Sequence, residues 1–119
     1  MSKIFKFEDA KKSETPERTV SRFVNEEVGA KKLGAMLVEY APNVISPGVH
    51  YHEERESAYI VLEGSAIMKL DGVEHRLESG MVAFLSPGDV HGIVAIGEGG
   101  FKMLEIWSPL GQDRISVQE

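Results

Sequence analysis

Glycine and proline residues divide this chain into short segments rich in Val, Ile, Leu, Phe and Tyr. Within these segments apolar and polar residues alternate with a period of two, which is the period of a strand whose successive side chains face opposite sides. Asp71-Gly72 supplies the positive φ angles that a two-residue hairpin turn requires. The pattern predicts strands joined by turns over residues 33–40, 58–63, 65–70, 73–77, 81–85, 90–96 and 101–107.

This number of short strands predicts an all-β fold, either a barrel or a sandwich. The chain has 119 residues, a length that fits one compact domain over residues 1–119. Helical turns are indicated only at residues 8–12 and 16–18. The first 18 residues are expected to form a loosely packed arm.

The alternation also predicts which side chains face the interior. The residues expected to point inward are Met36, Val38 and Tyr40 in one strand and Ala66, Met68 and Leu70 in another. Residues 101–107 differ because both of their faces are apolar, with Leu104 and Ile106 opposite Phe101 and Met103. Such a strand is typical of a sheet covered by a partner, so we expect a homodimer.

Acidic residues outnumber basic ones by 19 to 13, which gives a formal net charge of −6. Because the basic residues form no cluster, we expect the chain to repel a phosphate backbone and to bind no nucleic acid. The longest apolar runs are far shorter than the ~20 residues that span a membrane, and the first residues lack the apolar segment of a signal peptide. These features predict a cytoplasmic protein without a membrane partner.

Two of the 4 histidines are separated by one residue, in the sequence His50-Tyr51-His52. In an extended strand these imidazoles point the same way with Cα atoms ~6.5 Å apart, so both can bind one metal ion. His91 follows the turn residues Pro87-Gly88, which can direct it to the same point. Since the chain has no cysteine, the donors suit one divalent transition metal, and Fe, Mn, Ni, Cu and Zn all remain open.

Residues 47–64 resemble the first motif of the cupin family, G-x5-H-x-H-x3-4-E-x6-G, and residues 80–91 resemble the second, G-x5-P-x-G-x2-H-x3-N. The spacing of the two, over residues 65–79, is similar to that of small single-domain microbial cupins. The resemblance covers about residues 33–109. It implies a double-stranded β-helix, or jelly-roll barrel, with a metal ion at its mouth.

The resemblance also implies a glutamate ligand, for which two positions compete. Counting forward from His52 gives Glu56, whereas counting back from Gly64 gives Ser57. Neighbouring strand residues face opposite sides, so both point inward only if a bulge shifts the register. We favour Glu56, because the gap from His52 is a short loop and the extra residue before Gly64 can be absorbed as a bulge. A bulge near Arg55 would then turn Glu56 inward. The expected ligands are then His50, His52, Glu56 and His91, as in germins and oxalate decarboxylases; with Glu56 outward, the site is similar to the three-histidine iron centre of cysteine dioxygenases.

The histidines favour a metalloenzyme that acts on a small oxygen-rich or anionic molecule, because a metal ion with open positions can bind a substrate oxygen as a Lewis acid. The resemblance implies dioxygenase, decarboxylase, isomerase or lyase chemistry without selecting one. The alternative is a non-catalytic or regulatory small-molecule binder. Ser57, Tyr59 and Met68 are expected to line the ligand pocket. Glu105 is costly to bury without a partner, so it either faces a dimer interface or adds a polar group to the pocket.

Overall fold

The computed structural model describes residues 2–111 and 113–118, and nearly all regular secondary structure in these residues is antiparallel strand. Their helical elements are two short 3-10 turns, Phe7–Asp9 and Glu26–Val28. The strands are β1 (Lys11–Glu14), β2 (Arg18–Val24), β3 (Gly34–Tyr40), β4 (Val49–His52), β5 (Glu56–Leu70), β6 (Val73–Glu78), β7 (Val82–Leu85), β8 (His91–Ser108) and β9 (Arg114–Val117). No helix in the described ranges has the length and hydrophobicity needed to cross a bilayer.

Two long strands, β5 and β8, pair with each other along most of their length and belong to both layers of the fold. In one layer the strand order is β7-β5-β8-β3-β2-β1, and in the other it is β6-β5-β8-β4-β9. Every one of these pairs is antiparallel. This arrangement is a jelly roll, or double-stranded β-helix, and confirms the all-β class expected from the sequence.

Both long strands pass from one layer to the other at glycines. Gly64 and Gly100 have φ angles of +78° and +79°, and a Cβ on Gly64 would overlap the carbonyl oxygen of Gly100. The pairing register of β5 also shifts on both sides of Gly64. The glycine pattern of the sequence predicts strand ends at Gly64 and at residues 97–100. That expectation is wrong, because strand pairing continues past these glycines and they bend the strands without ending them.

The hydrophobic core lies between the two layers and confirms the predicted inward faces. Val38, Ala66 and Met68 are buried, while Met36, Tyr40 and Leu70 are partly buried and pack against the core. The other buried core residues are Val20, Tyr59, Val61, Leu77, Leu85, Ile93, Ile96, Phe101 and Met103.

The sheets extend beyond the region that carries the family motifs. β1 and β2 precede it, and β9 follows it. Residues 11–14 belong to the arm expected to pack loosely, and their side chains are exposed, but their backbone pairs with β2. At the helical turn expected over residues 8–12, the structure has a 3-10 turn, Phe7–Asp9, followed by β1. At the one expected over residues 16–18, it has a short loop that leads into β2. The strand β1 is polar and exposed along its whole length, so it lacks the alternation of apolar and polar residues that predicts a strand from sequence.

Candidate metal centre

The three histidines of the sequence pattern lie together on the second layer. His50 and His52 are in β4, and His91 begins β8 as the direct cross-strand neighbour of His50. The ring centroids are 4.5 Å apart for His50 and His91, 5.2 Å for His50 and His52, and 5.7 Å for His52 and His91. One ring nitrogen from each lies within 4.8 Å of the others. This spacing allows three imidazoles to bind one ion.

Hydrogen bonds orient two of these rings. The Nδ1 atom of His91 donates to the carbonyl oxygen of Asp89 at 2.9 Å, and Nδ1 of His52 donates to Oδ1 of Asp113 at 2.9 Å. Each bond leaves the Nε2 lone pair available, which is the usual arrangement of metal-binding histidines. Among the described residues, Nε2 of His91 and Nδ1 of His50 are buried without a hydrogen-bond partner. Buried nitrogens of this kind are costly unless they bind something, so the residues fit a metal ion.

Burial keeps the three rings neutral. Together with the neighbouring His91 and Arg114, burial lowers the pKa of His50 to about 3. Burial also lowers the pKa of His52 and His91, although Asp113 and the Asp89 carbonyl act in the opposite direction. Neutral imidazoles have free lone pairs, so the site is ready to bind a cation near pH 7.

The structure does not bring Glu56 into the histidine group. Its side chain is exposed, whereas Ser57 is 4% exposed and faces inward with Tyr59. The register of β5 shifts between Val61 and Glu63, so a bulge does precede Gly64, but no shift near Arg55 turns Glu56 inward. Regular alternation from the start of β5 therefore turns Glu56 outward. The placement that the sequence analysis favoured for Glu56 is thus corrected to the three-histidine alternative.

Asp113 belongs to the histidine site and is absent from the ligands and pocket residues expected from the sequence. Besides His52, its carboxylate accepts hydrogen bonds from the backbone amides of Glu54 and Arg55, at 2.9 and 3.1 Å. Burial raises the pKa of Asp113, but these hydrogen bonds outweigh it, and the net pKa is lowered. The carboxylate is therefore ionised near pH 7 and fixes the His52 ring. No motif signals this contact, because it joins residues 61 positions apart.

A cavity of about 830 Å³ opens in front of the histidines. His50 and His52 line it, and so does Tyr59, whose ring lies 6.1 Å from that of His91. Four arginines also line it, although the whole chain has a formal net charge of −6. They are Arg18, Arg22, Arg55 and Arg114. Three glutamates line it as well, Glu17, Glu26 and Glu105, so the charged lining has a formal excess of one positive charge, which favours anions.

Two of the residues expected in the pocket do not line this cavity. Met68 is 1% exposed and belongs to the hydrophobic core, because its half of β5 lies in the second layer beside β6. Ser57 is buried between its cross-strand neighbours Leu85 and Trp107, and Trp107 occupies the cavity wall there. Of the expected pocket residues Ser57, Tyr59 and Met68, only Tyr59 lines the cavity.

Glu105 lines the cavity, so the alternative that places it at an outer interface is wrong. It is 5% exposed, and burial raises its pKa to about 7. A guanidinium nitrogen of Arg55 is 4.0 Å from its carboxylate. Arg55 stacks on Trp107, with the guanidinium carbon 5.0 Å from the ring centroid, and donates to the Gly111 carbonyl at 2.9 Å. This part of the cavity wall is thus charged and held by several contacts.

The jelly roll and its histidine cluster define a class of protein. The chain belongs to the cupin family: the sequence model described as "Cupin domain" matches residues 36–107, more than half of the chain. This result confirms the resemblance found in the two motifs. A search of curated proteins found no match.

Solved structures agree on the fold. The polyketide cyclase RemF from Streptomyces resistomycificus is 26% identical, with a TM-score of 0.81 over 100% of this chain and 87% of that one. KdgF from Halomonas sp. is 18% identical, with a TM-score of 0.79 over 94% and 97%. Oxalate decarboxylase from Bacillus subtilis is 20% identical, with a TM-score of 0.77; 95% of this chain matches 31% of that longer one.

Proposed function

We propose that this cupin is a metal-dependent enzyme that acts on a small oxygen-rich or anionic molecule inside the cavity. The observation that carries the proposal is the cluster of neutral histidines on the cavity wall, with buried ring nitrogens that lack partners among the described residues. A divalent ion bound there would supply Lewis acidity and open positions for substrate oxygen atoms. Similarity to proteins named as a polyketide cyclase and an oxalate decarboxylase supports an enzyme without selecting the reaction.

The chain's own residues would orient the ligands and attract the substrate. Asp113 and the Asp89 carbonyl fix the rings of His52 and His91. The arginines that line the cavity favour a substrate with a carboxylate or another anionic group. The absence of a cysteine ligand leaves Fe, Mn, Ni, Cu and Zn as candidate metals.

A non-catalytic small-molecule binder is the second candidate function. It is favoured by the outward position of Glu56, which leaves three histidines without a glutamate in the group. Glu105 favours the enzyme, because a buried carboxyl group in the cavity wall with a pKa raised to about 7 can exchange a proton with a bound molecule. The two candidates differ in one measurable property, which is turnover of a bound molecule.

Elemental analysis of protein purified without a histidine tag tests the proposal. We expect about one divalent transition metal per chain in the wild type and less than about a tenth of that in His52→Ala. His75→Ala is the matched control, because His75 is an exposed histidine on β6 and should leave the metal content unchanged. Full metal content in His52→Ala, or none in the wild type, would refute the proposal.

We also infer that two copies associate through the outer face of β7, β5 and β8. On β7, Val82 and Phe84 are 61% and 60% exposed. Their cross-strand neighbours on β5 are Ile60 and Ala58, which in turn neighbour Leu104 and Ile106 on β8. These six residues therefore form a continuous apolar patch, and the charged side chains on the same face, Glu56 and Lys102, lie beyond its ends.

A further inference from the structure

Glu105 is a buried carboxyl group whose position is not explained by packing. Its cross-strand neighbours are Met36 on β3 and Tyr59 on β5, and its side chain lines the cavity. The closest cation, on Arg55, is at an ion-pair distance of 4.0 Å, which is longer than a hydrogen bond. An apolar residue would fill this position at lower free-energy cost, so the carboxyl group points to a role in the cavity.

The position of Glu105 relates it directly to the histidines. Tyr59 lies beside Glu105 in the sheet, and the Tyr59 ring contacts His91 with centroids 6.1 Å apart. One side chain therefore separates the carboxyl group from the histidine cluster along the cavity wall. A molecule of a few heavy atoms that is bound at the histidines can reach Glu105.

Arg114 completes this arrangement from the other layer. It is the cross-strand neighbour of His52, its side chain is exposed, and it lines the same cavity. Its charge acts on His50, His91 and Glu105 alike, so it lies within electrostatic range of both groups. Arg55, in contrast, is engaged with Trp107 and the Gly111 carbonyl. Arg114 is thus the arginine placed to bind an anionic group of a molecule held between the two sites.

We propose that Glu105 transfers a proton to and from carbon in a small 2-oxo acid whose carboxylate is bound by Arg114. This inference rests on the proposed function, because the histidine site would bind the oxo group. In the step, the C–H bond next to the carbonyl breaks and its proton goes to the Glu105 carboxylate. The electron pair of that bond forms a carbon–carbon double bond, and the π pair of the carbonyl moves to its oxygen, which gives an enolate. Return of the proton completes an exchange or isomerisation that needs no oxidant or reductant.

The surroundings of Glu105 suit this role. Burial raises its pKa to about 7, while the opposing charges of Arg55, Arg18 and Arg114 lower it. Tyr59 on β5 also faces it, and the β3 neighbour Met36 carries no charge. A carboxyl group with a pKa near 7 is populated in both protonation states at neutral pH, as a group that takes up and returns a proton requires.

Hydrogen–deuterium exchange into pyruvate and 2-oxobutanoate tests the proposal. The metal-loaded wild-type protein in D₂O is expected to catalyse exchange of the protons next to the carbonyl. The rate is measured from the loss of their ¹H NMR signal. Glu105→Gln should lower the exchange rate at least ~100-fold, and Arg114→Gln should raise KM more than it lowers kcat. The matched control is Glu98→Gln, an exposed glutamate on the same strand, which should exchange at the wild-type rate.

Metal content and thermal melting are measured on the same samples. Glu105→Asp provides a second variant that keeps the carboxyl group but retracts it, and it should lower the rate at least ~10-fold. Metal-loaded wild type that exchanges neither probe above the buffer rate, or either Glu105 variant at the wild-type rate, would overturn the inference. Loss of metal from the wild type itself would instead count against the proposed function.

Discussion

At the scale of single residues, Asp113 ties the C-terminal segment to the candidate metal site. Its carboxylate binds the His52 ring and the amides of Glu54 and Arg55. Such a carboxylate holds the tautomer of the imidazole and raises its basicity as a ligand. The geometry of His52 therefore depends on a residue that binds no metal itself.

Replacement of Asp113 tests this dependence. We predict that Asp113→Asn weakens metal binding by ~10- to 100-fold, because the amide no longer fixes the His52 tautomer with a charge. Glu56→Gln is the matched control and should change the affinity less than ~2-fold, since Glu56 is exposed and outside the histidine group. Competition with a chelator measures both. An effect of Glu56→Gln as large as that of Asp113→Asn would contradict this account.

The raised pKa of Glu105 predicts how stability changes with pH. The pKa of this group is about 7 in the folded chain against an ordinary value of 4.5, so between these values the folded state binds more protons than the unfolded state. Relative to Glu105→Gln, the free energy of unfolding of the wild type should therefore fall as pH rises from 4.5 to 8, by at most about 3 kcal/mol.

Denaturant unfolding of metal-free protein measures this difference without the pH dependence of metal binding. A difference between wild type and Glu105→Gln that stayed constant or grew in favour of the wild type with rising pH would show that Glu105 has no raised pKa.

The sequence could predict the histidines but not the carboxylates around them. His50 and His52 share a face by strand parity, and the turn before His91 is local, so short-range geometry suffices. The choice between Glu56 and Ser57 depended on where β5 changes register, which is decided by its pairing with β8. Contacts such as that of Asp113 arise only when distant segments meet, and no spacing rule encodes them.

At the scale of elements, the two bent strands β5 and β8 explain both the fold and the position of the site. The alternating residues of both strands were correctly predicted as strand, but Gly64 and the glycines of residues 97–100 were interpreted as strand ends. A glycine ends a strand when the backbone hydrogen bonds stop there, and it bends a strand when the bonds continue. That outcome depends on the partner strand, so the continuity of Glu56–Leu70 and His91–Ser108 could not be deduced locally.

Gly34 shows how closely these elements pack. A Cβ at this position would overlap the indole of Trp107, the residue directly across from it on β8. We predict that Gly34→Ala lowers the free energy of unfolding by about 1–3 kcal/mol, because the indole must move away from its contact with Arg55. Trp107 is the only tryptophan, so its fluorescence should shift as well.

Gly48→Ala is the control for this substitution, since a Cβ at Gly48 would meet no atom within 4 Å. It should change the free energy of unfolding by less than about 0.5 kcal/mol. Equal stabilities of Gly34→Ala and Gly48→Ala in denaturant unfolding would contradict the packing described for Trp107.

At the scale of the whole molecule, the cavity and the outer surface differ in charge. Arginines outnumber glutamates in the cavity lining although the chain has a formal net charge of −6, whereas Val82 and Phe84 expose an apolar patch on β7. Strand β8 lies between β3 and β5 in its layer, and both of its faces carry apolar residues. One side faces the core, and the other belongs to the proposed dimer interface.

Light scattering tests the dimer. The wild type should have a mass of twice 13.1 kDa at micromolar concentration. Phe84→Glu should yield a folded monomer, because Phe84 is 60% exposed and its replacement costs the single chain little. Val73→Glu changes an equally exposed residue on β6, outside the interface, and should remain dimeric. A monomeric wild type, or a dimeric Phe84→Glu, would refute the interface.

The central claim of this account is that three histidines, without Glu56, bind one divalent metal ion in the cavity. Anomalous diffraction from crystals of the metal-loaded protein tests it most directly. We predict one strong anomalous peak per chain, about 2.0–2.2 Å from a ring nitrogen of each of His50, His52 and His91, with the Glu56 carboxylate turned to solvent. A peak located elsewhere, or one bound by the Glu56 carboxylate, would contradict the claim.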